Sequence, residues 1–408
     1  GPVAGLIAGA LLAVMPYHVL VTRQVLLDGP MVFFSTLVLY LLVRYALSER
    51  TLWLYAAGGA MGLTFLSKET GILMIGSIYA FFALSPEVRI RIRHLALAAA
   101  AMAGIMVIHP VTAALAGKSQ TGGAYLAWQL FRRPNHSWTF YPQEVSQAIG
   151  WVVVGAAIVG FVLLRGKGTW RERLLVMWIC VPAIFFELWP VKGFQYLLPI
   201  APAVALLAAR TYVVALAGIE AKVGRWRITG ETIGVAAACL CVLSLMLASW
   251  DRIQPQTSET FLAGSGGLPG GRETGFWIRD HVPKGAVFLT VGPSMANVIQ
   301  YYGQRKAYGL AVSPNPLRRN PAYEPVKNPD LAIRNNDLQY LVWDSFSAAR
   351  STFFSEKILR YADRYNGRAV YTETAPARTG DGATAEKPLI IVYQVRPLLA
   401  VPAEASVD

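Results

Sequence analysis

Long apolar runs govern what this chain can fold into: stretches near 1–19, 30–46, 52–67, 70–85, 95–114, 147–164, 173–189, 196–217 and 231–250 carry few charges. A helix that crosses a bilayer needs roughly 20 mostly apolar residues. Lipid offers no partner for a backbone N–H or C=O, so each such run must satisfy its own polar groups as a helix. About nine runs of this kind predict an α-helical polytopic membrane domain over residues 1–250, with the bilayer as its solvent. Composition agrees: 15% of the residues are charged, against roughly a quarter in an ordinary soluble domain. A soluble enzyme is excluded.

The charge is also segregated. Residues 1–250 hold 19 Lys/Arg against 9 Asp/Glu, and residues 251–408 hold 18 against 15, so most of the net charge of +13 sits in the membrane half. Nucleic-acid binding needs a basic soluble face or a recognisable motif. Neither is visible, and no nucleic-acid partner is expected. Alternate connections collect twelve cations: Arg44, Arg50, Arg89, Arg91, Arg93, Arg165, Lys167, Arg171, Arg173, Lys222, Arg225 and Arg227. The opposite connections hold six, Arg23, Lys68, Lys118, Arg132, Arg133 and Lys192. The positive-inside rule assigns the richer set to the cytoplasm. The chain then reads as an integral protein of the plasma membrane whose C-terminal part lies outside.

Residues 251–271 read as a linker, with GSGGLPGG at 264–271, and the pattern then changes from long apolar runs to short alternating elements. RETGFWIRDHV, SMANVIQYYG and SEKILRYADRYN have helical periodicity, while GAVFLTVG, LQYLVWD, VYTET and PLIIVYQV read as strands. Residues 272–408 are therefore expected to form an extracytoplasmic α/β domain. VSPNPLRRNPAYEPVKNPD, with five prolines, reads as a long loop. TVGPSMAN follows a strand and opens a helix, but without a GxGxxG or Walker pattern it reads as an ordinary turn. Cys180, Cys239 and Cys241 lie in apolar runs and read as packing residues. His18 and His109 have no acidic or cysteine neighbours at metal spacing, so no metal and no cofactor are expected. The chain opens in an apolar run without Met, and reads as lacking its natural N-terminus, not as carrying a signal peptide.

Ionisable groups at a membrane face are expensive unless they function or find partners. Asp28 is the only aspartate in the first 250 residues, five residues after Arg23 and just before a proline. It reads either as an interfacial helix cap or as a functional carboxylate. Three further clusters fall at the same expected face: Lys68 and Glu69 in LSKETG, Arg132, Arg133, His136, Trp138 and Tyr141 in RRPNHSWTFYPQE, and Lys192 and Tyr196 in PVKGFQYLLP. Cations neutralise a phosphate, aromatic rings stack on sugars, and a carboxylate activates a hydroxyl. Together they suit an anionic lipid-linked sugar. The plainer alternatives are a Lys68–Glu69 pair at the interface and an aromatic belt at 136–141.

RQVLLDGPMVFF, WLYAAGGAMGLTFLSKETGIL and KGFQYLLPIAPAVALLAA resemble the membrane glycosyltransferases of the C superfamily, especially the protein mannosyltransferase and aminoarabinose transferase group. The resemblance covers most of residues 1–250. It implies a polyprenyl-phosphate sugar donor, a protein, lipid or glycan acceptor, and inverting transfer at the outer membrane face. It aligns Asp28 with the family's second acidic motif, Lys68 with the lysine ending its fifth helix, and Lys192 and Tyr196 with a later basic-aromatic segment. The family's first outer loop, with its principal acid, would precede Gly1. Two other readings stand beside the enzyme: a non-catalytic helper of lipid-linked glycan assembly or translocation, and a secondary transporter. Against transport, no paired broken helices recur in two related halves. Residues do not name the sugar or the acceptor.

Overall fold

The computed structural model describes residues 1–24, 26–117, 134, 136–163, 169–215, 220–223, 226–253, 268–378 and 384–396. They form two compact units, one within residues 1–253 and one from 268 onward.

The first unit is helical. Asp28–Ser48, Ile92–Leu115, Phe194–Val213 and Gly230–Ile253 are long and apolar enough to cross a membrane. Two bent pairs, Pro2–Val14 with Pro16–Thr22 and Tyr141–Ile149 with Trp151–Val162, bring the number to six if each pair is one span. The chain is thus a polytopic membrane protein, with four to six such spans among the described residues where nine apolar runs were expected. The differences have local causes. Pro16 lacks an N–H and the preceding Met15 is extended, so the first run bends by 56°. Gly150 adopts φ +99°, open to a residue without Cβ, and turns the chain by 98° before Trp151. Thr51–Ser67 stops at 17 residues, and Trp170–Leu188 carries Arg171, Glu172, Arg173 and Glu187.

Small residues set the helix contacts. A Cβ on Gly58 would overlap the Ala98 carbonyl, and one on Gly62 would come within 2.8 Å of Ile105 and the Met102 carbonyl. The Thr51–Ser67 and Ile92–Met106 helices therefore approach backbone to backbone, as membrane helices do where hydrophobic driving force is lacking. At one end of this bundle the Tyr45 hydroxyl donates to the Arg89 carbonyl at 2.8 Å, Arg44 lies 4.7 Å above the Trp53 ring, and Arg173 pairs with Glu87. Members of the larger cation set thus gather at the Ser48 end of the Asp28–Ser48 helix. Asp28 starts the other end. Residues 220–229, read as a charged loop, include a short antiparallel pair, β1 (Glu220–Val223) with β2 (Trp226–Thr229).

The second unit is a five-stranded mixed sheet. Its strands are β3 (Val287–Thr290), β4 (Lys306–Gly309), β5 (Tyr340–Asp344), β6 (Arg368–Arg378) and β7 (Thr384–Gln394), in the order β4-β3-β5-β7-β6. β3 pairs in parallel with β4 and β5, and β7 runs antiparallel between β5 and β6. Alternation sends Phe288, Val342, Ile390 and Val392 into one core with Ile278 and Met295, and Leu289 and Leu341 into another with Ile358 and Tyr365. Each expected helix and strand lies in its segment. β4 was not anticipated: it is a four-residue edge strand whose sequence KAYG carries no apolar run. The proline-rich stretch includes a turn at Pro316–Arg318, and its final residues open the helix Pro329–Arg334, started by the Asn328 side chain accepting from the Leu331 N–H. Between Thr290 and Pro293, Ser347 lies where a Gly292 side chain would sit, 3.0 Å from its Cβ position, and the following helix has only six residues.

Candidate functional site

The polar centre of the helical unit is a buried ion pair. Asp28 begins its helix with 1% of its surface exposed, and Lys68 leaves the Thr51–Ser67 helix in an extended conformation that points its side chain back. The Lys68 ammonium donates to both Asp28 carboxylate oxygens at 2.8 Å. Lys68 therefore pairs with Asp28 and not with Glu69, which is exposed. Its Nζ also lies 5.2 Å from the Tyr196 ring centre.

A second lysine lies in the loop after the Trp170–Leu188 helix. Lys192, 4% exposed, donates to the Glu187 carbonyl at 2.6 Å and lies 3.1 Å from the Glu187 carboxylate. The rings of Trp138 and Tyr141 flank its ammonium at 5.0 and 5.2 Å. Both contacts are within reach of a cation–π attraction.

Two tyrosine hydroxyls fix the loop between these lysine sites. Tyr17 donates to the Phe194 carbonyl at 2.6 Å, and its ring meets Phe194 edge to face at 5.0 Å. The Tyr141 hydroxyl donates to the Gly193 carbonyl at 3.2 Å and accepts from the Gly193 N–H at 3.1 Å. Gly193 is required because Tyr196 folds back onto it: a Cβ there would stand 2.9 Å from the ring. Gln195, in the same loop, has a buried side-chain carbonyl with no donor among the described residues.

Beside this cluster opens a cavity of about 600 Å³. Its walls are almost wholly apolar, including Ile149, Phe161, Ile184 and Val204, and Tyr141 and Glu187 stand at its polar edge. Ile158, Phe161, Ile184 and Leu188 are large exposed side chains along it, so the cavity opens on an apolar surface of the bundle. Glu187 and Tyr141, which line this groove, also contact Lys192, so a cation lies beside its polar edge, an arrangement that suits a lipid with a charged head.

The structure thus brings together Asp28, Lys68, Tyr196, Lys192, Trp138 and Tyr141. His136 stacks on Phe140 at 4.0 Å. Arg23 is exposed and makes no ion pair among the described residues, and Arg132 and Arg133 lie outside them. Sequence reasoning missed Glu187 and Tyr17. Glu187 carried a usable signal, being the acid five residues before Lys192. Tyr17, inside an apolar run, carried none. No group of three His, Cys, Asp or Glu side chains among the described residues is placed to hold a metal.

Residues 1–113 match the family model for dolichyl-phosphate-mannose-protein mannosyltransferase. Over the whole chain, the crystal structure of ArnT from Cupriavidus metallidurans in the apo state superposes with a TM-score of 0.64 at 14% identity, covering 97% of this chain and 79% of that one. At 14% identity the likeness over the whole chain is one of fold, and the family match covers the first 113 residues. A second ArnT structure from that organism, bound to undecaprenyl phosphate, matches this chain over the same shares at 14% identity with a TM-score of 0.60. No curated protein matches it by sequence.

Proposed function

We propose that this protein transfers a sugar from a polyprenyl-phosphate donor to an acceptor at the outer face of the membrane, with inversion at the anomeric carbon. The observation that carries the reading is the junction of the cavity with the Lys192–Glu187–Tyr141 cluster, next to the Asp28–Lys68 pair. An isoprenoid chain suits apolar walls, and its phosphate suits an ammonium held beside the cavity's polar edge. The bound undecaprenyl phosphate of the similar ArnT structure supports the same donor class.

In this reading the acceptor hydroxyl oxygen attacks the anomeric carbon as the bond to the lipid phosphate breaks, that bond's electrons leave with the phosphate, and the hydroxyl proton passes to the departed phosphate or to water. The phosphate leaves as an ionised group and needs no acid. Lysine charge held in place beforehand stabilises it, since such donors need no reorganisation as charge develops. Asp28 gives both oxygens to Lys68, so its part is to position that lysine and, through it, the donor. Trp138, 65% exposed, offers the sugar a stacking face.

The test is transfer of radiolabel from a polyprenyl-phosphate sugar to acceptors in membranes containing the full-length protein. Label in an acceptor, abolished by Lys192→Met with protein levels unchanged, is the expected result. Label crossing the membrane still attached to its lipid, without transfer, would instead place the protein among lipid-glycan translocation helpers.

A further inference from the structure

The two lysines of the site each have a carboxylate partner, but the pairs are built differently. Asp28 meets Lys68 through both oxygens and is 1% exposed. Glu187 meets Lys192 at 3.1 Å with 27% of its side chain exposed, and it lines the apolar cavity. It also lies in the last turn of the Trp170–Leu188 helix, where the carbonyl end of the helix dipole disfavours negative charge. Lys192, by contrast, has fixed partners apart from that carboxylate. The Glu187 backbone carbonyl accepts from it at 2.6 Å, and the rings of Trp138 and Tyr141 flank it. If the carboxylate swings away, the ammonium stays where it is.

We infer that the Glu187 carboxylate is a displaceable counter-ion, competing with the phosphate of a prenyl-phosphate lipid for the Lys192 ammonium beside the polar edge of the cavity. The inference rests on the donor reading above. A phosphate arriving there while Glu187 keeps its place would meet a negative charge across the same ammonium. Glu187 must therefore turn outward, towards the surface its partial exposure already opens to it. The exchange makes Glu187 a specificity-determining residue. It sets a threshold that an anionic head group crosses by replacing the ion pair. A neutral prenyl lipid, unable to replace it, gains the apolar walls alone. No bond is made or broken in this step; one carboxylate–ammonium contact is replaced by a phosphate–ammonium contact.

The experiment measures binding of undecaprenyl phosphate and of undecaprenol to the purified full chain in nanodiscs, for wild type, Glu187→Gln and Glu187→Asp. Glu187→Gln should bind the phosphate lipid on the order of tenfold more tightly, because the competing charge is gone while the backbone carbonyl still holds Lys192. Its affinity for undecaprenol should not change. Glu187→Asp, with the charge kept but withdrawn by one methylene, should fall between wild type and Glu187→Gln for the phosphate lipid. A general reshaping of the cavity would shift both lipids together, and that result would overturn the proposal. So would Glu187→Gln binding the phosphate no better than wild type does. Wild type that binds no undecaprenyl phosphate would overturn the donor reading itself, and this inference with it.

Discussion

Asp28→Asn keeps the shape of the side chain but leaves the Lys68 ammonium, 13% exposed, facing a neutral amide. Removing one partner of a buried ion pair costs about 3–5 kcal/mol, because the remaining charge is left uncompensated. The partial exposure of Lys68 favours the lower end, about 3 kcal/mol. For a unit of this size that corresponds to a fall in Tm of roughly 6–12 °C. Thermal unfolding in detergent, followed by reaction of a thiol dye with buried Cys241, reads this unit in particular. Lys68→Met should cost a similar amount by orphaning Asp28. The double variant Asp28→Asn/Lys68→Met, with no buried charge left, should return to within about 1 kcal/mol of wild type. Turnover should fall by roughly 10²-fold in Asp28→Asn, where Lys68 is no longer held in place, and stay low in the double variant, where the lysine charge itself is gone. Stability losses that simply add in the double variant would refute the paired-charge argument. Recovery of turnover along with stability would reduce the pair to scaffolding.

In the second unit, burial pushes the Asp344 carboxyl above its ordinary value of 3.8, against the N–H of Ser347 that its side chain caps. The folded unit then holds this proton where the unfolded chain has lost it, so the contribution to stability is full below pH 3.8 and is lost as pH rises through the elevated value. Asp344→Asn, which still caps the helix, should flatten that decline in urea unfolding followed by tryptophan fluorescence; an unchanged slope would assign it to another group. For topology, in a background free of native cysteines, a Cys at Ser313 should react with an impermeant reagent applied from outside and one at Ile90 should not. The reverse pattern would invert the expected orientation.

The membrane character of this chain was legible from the length of its apolar runs, and the alternation of its second unit from short-range periodicity, which short windows carry faithfully. Span number was not. Apolar composition fixes how long a run stays in lipid, but Pro16 and Gly150 decide whether it crosses straight, and neither changes hydropathy. β4 escaped because an edge strand of four residues has half its side chains in water. In the site, Asp28, Lys68 and Lys192 stood out because charge in an apolar context is conspicuous. Their pairing was not legible: Lys68 has Glu69 as its neighbour in sequence and Asp28 as its partner in space, 40 residues away. Tyr17 was invisible for the opposite reason, since a tyrosine in an apolar run declares its hydroxyl only when a distant carbonyl is found to accept from it.

The loop that carries Lys192 and Tyr196 is held by hydroxyls from positions 177 and 52 residues away in the chain. Neither anchor is local, so the Phe194–Ile200 segment can complete its helical turns early while Tyr196 and the preceding Lys192 still point anywhere. The geometry that would meet a head group comes into being only when the Pro16–Thr22 and Tyr141–Ile149 segments have both docked. A chain emerging into the bilayer would therefore pass through helical intermediates that look folded by helix content yet have no organised cation site. Helix content by itself would therefore not report whether the Lys192 site has formed.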